Sequence, residues 1–378
     1  MSAQELPLYL LTEPSFQTLI QNLLQEEFTL VGPQNDANLA IVYKEFESFD
    51  QLPRGLKDTQ SAGHYRLEQT NLPSFFSQFT SGPQSAKNFL FPSLQKLFSI
   101  EKSKNLNKAP KLIAKNFSKK KYAFIGLRAC EIAAIKLQDK VFEGAAASFY
   151  QKQRENIFII GVECTSNVSS CFCADMNSGP AIQGGADLTL IEYPLDGIYR
   201  WGLRALSKKG ISLVKKLKLP LLEQEEASFA KNLVQKNSDS LLGRFKNVDI
   251  KRLLYESHES SHWDDLATRC LACANCTLVC PTCFCSTIED TQDLSGENAE
   301  RWLKWESCFT SEHSQMHGQP VRDSVKSRYR QWMTHKFASW QDQFGSSGCT
   351  GCGKCVTWCP VAIDVRVELN QFQKSENV

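Results

Sequence analysis

Apolar residues in the first part of the chain recur with two different periods. Residues 16–24 repeat them at helical spacing, and the apolar run at residues 28–31 stops at Gly32 and Pro33, as a strand would. Residues 39–43 form a second candidate strand. The pattern therefore predicts a helix followed by strands.

The same alternation returns further along the chain. Residues 122–126 and 157–161 have the pattern of buried strands, and residues 130–137 between them have helical character. This order is typical of a parallel or mixed sheet with crossover helices. Residues 208–251, rich in Lys and Leu with few turn signals after Pro220, predict helices. We therefore expect a large N-terminal mixed α/β domain, of the α/β or α+β class.

The composition changes abruptly near residue 250, because all but four of the 15 cysteines follow this point. We predict two domains, residues 1–250 and 251–378, with a further break inside the first near residues 110–120. Amphipathic stretches such as residues 297–305 and 321–337 predict that the second domain is mainly helical.

Charge and hydropathy exclude several classes of function. Lys and Arg number 43 against 41 Asp and Glu, so no strong field attracts nucleic acid or an anionic membrane. No apolar run approaches the roughly 20 residues that span a bilayer, and no secretory signal pattern opens the sequence. We therefore expect a cytoplasmic protein. Without a signal peptide, so many cysteines favour metal or redox chemistry over disulfides.

Eight of the cysteines form two runs with the same spacing, C-x2-C-x2-C-x3-C-P. The first run holds Cys270, Cys273, Cys276 and Cys280, and the second holds Cys349, Cys352, Cys355 and Cys359. This is the bacterial ferredoxin spacing, in which the fourth cysteine binds the other of two [4Fe–4S] clusters. Structural zinc, the alternative for soft thiolates, usually takes separated C-x2-C pairs.

The ferredoxin rule predicts crossed ligation of two [4Fe–4S] clusters. One cluster is expected on Cys270, Cys273, Cys276 and Cys359. The other is expected on Cys349, Cys352, Cys355 and Cys280. The crossing would hold the clusters close together, as stepwise electron transfer requires.

Seven further cysteines remain: Cys130, Cys164, Cys171, Cys173, Cys283, Cys285 and Cys308. Each of the first two comes shortly after a predicted strand, so both could meet at one sheet edge and, with the next two, hold a third cluster. The alternative is that they are small buried hydrophobes. The last three are candidates for contacts around a cluster, because two of them closely follow Pro281.

Several short segments together resemble one family. They are Gly126-Leu127-Arg128-Ala129-Cys130-Glu131, Cys171-Phe172-Cys173, Cys280-Pro281-Thr282-Cys283-Phe284-Cys285, Trp305-Glu306-Ser307-Cys308 and His335-Lys336-Phe337. The chain resembles the iron–sulfur beta subunit of sulfhydrogenase-type [NiFe] hydrogenases, and equally the iron–sulfur subunit of anaerobic sulfite reductase.

The resemblance implies an electron-transfer subunit of a cytoplasmic NAD(P)-linked oxidoreductase complex, with no catalytic centre of its own. One implied partner carries flavin and a [2Fe–2S] cluster and reacts with NAD(P)H. The others are the small and large subunits of a hydrogenase or, in the alternative complex, a siroheme sulfite reductase subunit. The large N-terminal domain also leaves open a self-contained flavin-dependent iron–sulfur enzyme.

Overall fold

The computed structural model describes residues 3–36, 40–103, 109–114, 120–144, 148–243, 245 and 248–375. The strands are β1 Tyr9–Leu11, β2 Phe28–Asn35, β3 Ile41–Phe46, β4 Leu56–Ser61, β5 His64–Gln69, β6 Leu94–Glu101, β7 Lys111–Ala114, β8 Lys121–Arg128, β9 Ile157–Glu163, β10 Leu188–Leu195, β11 Ile198–Ala205, β12 Ser286–Gln292, β13 Asn298–Trp305, β14 Gln315–Met316 and β15 Gln319–Pro320.

Helices occur throughout the chain and dominate its last quarter. They are α1 Glu13–Gln25, α2 Lys87–Leu90, α3 Ala129–Val141, α4 Ser148–Glu155, α5 Lys208–Leu217, α6 Gln224–Leu241, α7 Ile250–Glu256, α8 His262–Arg269, α9 Asn275–Leu278, α10 Val325–Thr334, α11 Trp340–Phe344, α12 Lys354–Thr357 and α13 Val365–Ser375. A π-helical turn, His335–Ser339, joins α10 to α11.

The largest sheet has seven strands in the order β1-β11-β10-β9-β8-β2-β3. The four strands β10, β9, β8 and β2 run parallel to one another. The remaining pairings, of β11 with β10, β1 with β11 and β3 with β2, are antiparallel. Helices α1 and α5 contribute to the core on one face, while α3 and α4 contribute to the core on the other. The predicted mixed α/β architecture is therefore confirmed.

Local elements follow the hydrophobic pattern, with one correction in β2. Thr12 caps α1, and its hydroxyl accepts a hydrogen bond from the backbone of Ser15. Strand β2 does not stop at Gly32 and Pro33 but continues to Asn35. Its pairing with β8 ends at Val31, so the missing N–H of Pro33 costs no hydrogen bond on that side. Residue 39, predicted to begin β3, lies outside the described residues.

A second sheet corrects the prediction of a helical stretch at residues 297–305. These residues form strand β13, which pairs with β12 on one side and with β6 on the other. Lys96 lies over the ring of Trp302, and the indole N–H of Trp305 donates to the carbonyl of Phe91. Pairing with a distant strand decided this conformation. Because the sheet includes strands from both sides of residue 250, the domain boundary there stays a prediction.

The helices after residue 250 surround the cysteine runs with a separate apolar core. Trp263, Trp332, Phe337, Val356 and Phe372 are fully or almost fully buried in it, and five of the run cysteines pack against it. The predicted helix within residues 321–337 is present as α10 and the π-helical turn. This core holds the two cysteine runs in place against each other.

Candidate metal centre

The two cysteine runs adopt the same backbone conformation. The second and fourth residues after the first cysteine have positive φ in both, at Ala272 (51°) and Ala274 (66°) and at Gly351 (62°) and Gly353 (75°). A short helix, α9 or α12, then begins one residue before the third cysteine. The local sequence therefore folds each run into a loop that turns its cysteines toward a common centre.

Backbone amides of these loops point at cysteine sulfur. The N–H of Ala272 donates to Cys270 Sγ at 3.4 Å, and the N–H of Gly351 donates to Cys349 Sγ at 3.3 Å. The N–H of Ile363 donates to Cys359 Sγ at 3.3 Å. Such bonds stabilise the thiolate form, which is the form that binds a metal.

One cavity collects cysteines from both runs. It is lined by the first three cysteines of one run and the last of the other, which are Cys270, Cys273, Cys276 and Cys359, and also by Cys355. Burial raises the pKa of the Cys276 thiol, and the charges of its three companions raise that pKa further. The four thiols are therefore electrostatic neighbours, and aromatic rings of Phe309, Tyr329 and Trp332 line the same cavity.

A second cavity collects the complementary set of thiols, which are those of Cys280, Cys349, Cys352 and Cys355. Burial raises the pKa of Cys349 to about 12 and that of Cys352 to about 11, and neighbouring thiols of the same set add to both shifts. The structure thus brings together both crossed sets predicted from the spacing. That each set holds one cluster stays a prediction.

The two cavities adjoin. Cys355 and Trp332 line both of them, and the charge of Cys276 in the first set raises the pKa of Cys355 in the second. Groups bound in the two cavities would therefore be separated by little more than these side chains.

Sulfur spacing distinguishes iron–sulfur clusters from zinc. Among the described residues, which include all 15 cysteines, no three cysteine sulfurs lie within 4.8 Å of one another. Tetrahedral zinc, with bonds of about 2.3 Å, holds its sulfurs about 3.8 Å apart. A cubane cluster takes one thiolate at each iron corner and needs wider spacing. Among the described residues, the cysteine sulfurs are therefore farther apart than a single zinc ion would hold them.

Comparison with known proteins agrees with these donor sets. A family model described as a 4Fe-4S dicluster domain matches residues 269–363. Sulfhydrogenase 2 subunit beta of Pyrococcus furiosus is 28% identical over 309 residues, which cover 79% of this chain and 86% of that protein. The chain is similar to that beta subunit over most of its length. No solved structure matches it.

The resemblance to the sulfhydrogenase beta subunit is thereby confirmed, and the chain contains a 4Fe-4S dicluster domain at residues 269–363. The anaerobic sulfite reductase alternative has no support in these comparisons. In the described part of the chain, no helix combines the length and the apolar character that crossing a bilayer requires.

A buried lysine lies beside the second cavity of the dicluster domain. Lys336, on the π-helical turn, has its Nζ 3.4 Å from both Cys280 Sγ and Cys283 Sγ, and it donates to the hydroxyl of Thr282 at 2.7 Å. A hydrogen bond from the Cys283 thiol, then the Lys336 charge, lowers the pKa of Cys280 well below its usual value. π-Helical turns often occur at functional sites. The resemblance included Lys336, but sequence spacing gave it no partner.

Cys283, Cys285 and Cys308 lie beside the same cavity and not in a third loop. The Cys308 thiol and His313 donate hydrogen bonds to Cys285 and lower its pKa to about 4. The charge of Lys336 acts on all three thiols. These contacts agree with the predicted role of the three cysteines around a cluster, which stays a prediction.

Lys87 is a functional candidate that sequence reasoning missed. Its ammonium lies 3.6 Å from the ring centre of Trp305 and donates to the carbonyls of Leu278 and Cys283. Burial lowers its pKa, while the charges of Cys283 and Cys280 oppose that shift. It is almost 200 positions away from these cysteines, so no local pattern could have revealed the contact.

The four N-terminal cysteines converge as well. Cys130 and Cys164 follow the neighbouring parallel strands β8 and β9, whose register pairs Arg128 with Val162. Burial raises the pKa of all four thiols, and Cys173 is the neighbour that adds most to the shift of Cys130. The charge of Cys164 raises the pKa of both Cys171 and Cys173. The expectation that these cysteines meet at one sheet edge is therefore supported by the geometry.

Proposed function

We propose that this chain relays electrons through two [4Fe–4S] clusters within an NAD(P)-linked oxidoreductase complex. The observation that carries the proposal is the pair of adjoining cavities, each of which brings three cysteines of one run together with the fourth cysteine of the other, while Cys355 lines both. When bound, such clusters supply one-electron redox chemistry. Clusters in adjoining cavities suit transfer between them.

The residues of the chain would bind the two centres, surround them and leave one side of the first centre accessible. Backbone amides such as those of Ala272 and Gly351 donate to cysteine sulfur, and the buried Trp332 lines both cavities. Cys273 is the one exposed cysteine of the two sets, and its neighbour Leu271 is 64% exposed. Electrons would therefore enter or leave the dicluster domain beside Cys273.

The relative's name supports a hydrogenase setting for the relay. Sulfhydrogenase 2 subunit beta is, by its name, one subunit of a larger hydrogenase. In this setting, we propose that a partner with flavin and a [2Fe–2S] cluster exchanges electrons with NAD(P)H, and that the small and large subunits of a [NiFe] hydrogenase lie at the other end. Anaerobic sulfite reductase, with a siroheme subunit, is the alternative complex.

Anaerobic reconstitution of the full chain tests the relay. We expect about eight iron and eight sulfide per chain in the dicluster domain, reversible reduction by dithionite, and no flavin absorbance. NAD(P)H should reduce the clusters only after the flavin-containing partner is added. Fewer than about eight iron would refute the two-cluster proposal. Bound flavin with direct reduction by NAD(P)H would instead identify a self-contained enzyme.

Purification of the complex from the native organism separates the two settings. A nickel-containing large subunit that copurifies with this chain supports the hydrogenase, and a siroheme subunit supports the sulfite reductase. Mass spectrometry and metal analysis of the same preparation distinguish the two outcomes.

A further inference from the structure

We propose that Cys130, Cys164, Cys171 and Cys173 hold a third [4Fe–4S] cluster, which extends the relay into the N-terminal domain. The proposal deepens the proposed function and rests on it, because the new site lies next to the second centre of the dicluster domain. It assigns a chemical role to the four cysteines that lie outside the dicluster domain.

The topology of the large sheet brings two of the ligands together. Adjacent parallel strands β8 and β9 end at Arg128 and Glu163, and Cys130 and Cys164 follow within two residues. Carboxyl ends of parallel strands are where open α/β sheets present binding groups. The connection from β9 to β10 then folds back at this edge and supplies Cys171 and Cys173. The backbone N–H of Cys164 donates to the carbonyl of Pro180, which ties the two ends of this connection together.

These thiols have one another as neighbours, which does not fit a simple packing role. Cys130 and Cys173 are buried in one small cluster with Ala174 and Leu241, and Cys171 and Cys352 pack against that cluster. A cysteine used as a small hydrophobe would pack among aliphatic and aromatic groups instead. Two buried and two half-buried thiols at one sheet edge form a donor set for a soft metal centre.

A buried guanidinium, that of Arg128, lies beside this set of four cysteines. The Arg128 guanidinium is 3% exposed, donates to the carbonyls of Phe76 and Phe79, and interacts favourably with Cys164. Four thiolates around a [4Fe–4S] core carry net negative charge. A fixed positive group at this depth therefore offsets part of the cost of burying the site.

Two glycines show how closely the backbone of the new site approaches the loop of the second centre. A Cβ on Gly351 would lie 2.5 Å from the carbonyl oxygen of Phe172, and a Cβ on Gly353 would lie 2.5 Å from that of Ser170. The first run has Ala272 and Ala274 at the equivalent positions with the same positive φ. The loop conformation alone therefore tolerates alanine.

Close approach of the second run to residues 170–173 is what requires glycine. The N–H of Phe172 also donates to the carbonyl of Gly351 at 2.9 Å. Phe172 separates the two cysteines of the C-x-C pair. The proposed third site and the loop of the second centre are therefore in direct backbone contact.

Cys352 connects the two donor sets. It lines the second cavity of the dicluster domain, and it also packs against the cluster that contains Cys130 and Cys173. The three centres would therefore lie in the order first, second, third, with the second in the middle. In one transfer step, the second cluster is oxidised from [4Fe–4S]⁺ to [4Fe–4S]²⁺ as the third is reduced from [4Fe–4S]²⁺ to [4Fe–4S]⁺.

The test counts iron and electrons in the anaerobically reconstituted full chain. We expect about twelve iron in the wild type and about eight in a Cys130→Ser/Cys173→Ser variant. The matched control is Cys285→Ser/Cys308→Ser, which removes two cysteines beside the second centre and should keep about twelve iron. A reductive titration of the wild type with dithionite should consume three electrons, and this measurement does not depend on how well any variant folds.

The outcomes separate this proposal from the proposed function. A wild type with about eight iron and two electrons refutes the third site and leaves the two-cluster relay intact. Loss of four iron from the control variant, with none lost from Cys130→Ser/Cys173→Ser, would move the third cluster to the other cysteines and overturn the assignment. Fewer than about eight iron would refute both proposals.

Discussion

Substitution of Lys336 by methionine removes a positive charge beside the second centre while keeping the length of the side chain. The ammonium is 5% exposed and lies 3.4 Å from Cys280 Sγ. With an effective permittivity of about 20, the interaction energy between the ammonium and a unit negative charge is about 5 kcal/mol at that distance. For a charge located about 6 Å from the ammonium, as on a bound cluster, it is about 3 kcal/mol. The second figure corresponds to about 120 mV for one electron. Because reduction adds negative charge, we expect the potential of the second cluster to fall by about 120 mV.

The assay is a redox titration of the full chain followed by electron paramagnetic resonance of the reduced clusters. Lys336→Arg, which keeps the charge, should shift the potential far less. Lys87→Met should lower the potential less than Lys336→Met, because the Lys87 ammonium donates to the backbone carbonyls of Leu278 and Cys283 and not to Cys280 Sγ. An unchanged potential in Lys336→Met, or one that rises, would refute the electrostatic reasoning.

Three further predictions concern ligation, stability and cluster loss. In iron analysis, Cys359→Ser and Cys276→Ser should each remove about four iron, and the variant with both substitutions should lose no more than that. Cys359→Ser combined with Cys352→Ser should instead remove about eight iron, and equal losses in the two double variants would contradict crossed ligation. Arg204 and Glu163 form a buried ion pair at 2.8 Å. Arg204→Met leaves the Glu163 carboxylate buried without this partner, so the free energy of unfolding should fall by about 3–5 kcal/mol in chemical denaturation followed by circular dichroism. Adding Glu163→Met should restore most of that stability, and a single variant as stable as the wild type would show that the ion pair is dispensable. Chelation of iron should lower the thermal unfolding midpoint of the dicluster domain, since its core packs directly on the cysteines; an unchanged midpoint in calorimetry would show that the core folds without clusters.

Spacing along the chain was sufficient to predict which run cysteines group together. Three cysteines two residues apart can only curl around one centre, and the fourth, before Pro281 or Pro360, leaves that loop. The hydrophobic pattern likewise predicted the helix α1 and the buried strands β8 and β9. These features depend on residues close in sequence, where bond geometry limits the alternatives.

Contacts between distant residues were decided only by the tertiary structure. Residues 297–305 are amphipathic in either conformation, and pairing with β6 made them a strand. The positions of Lys87 and Lys336 near Cys283 likewise depend on how separate elements pack.

The sequence by itself determined two loops of cysteines, because local chain geometry allows little else, and it predicted their crossed grouping from the ferredoxin rule. Only the tertiary structure decided that Cys130 and Cys173 lie against Cys352, because that contact depends on the order of strands in the sheet and on how its edge packs on the dicluster domain. The chemistry of each loop is therefore local, while the path between centres is a property of the whole fold.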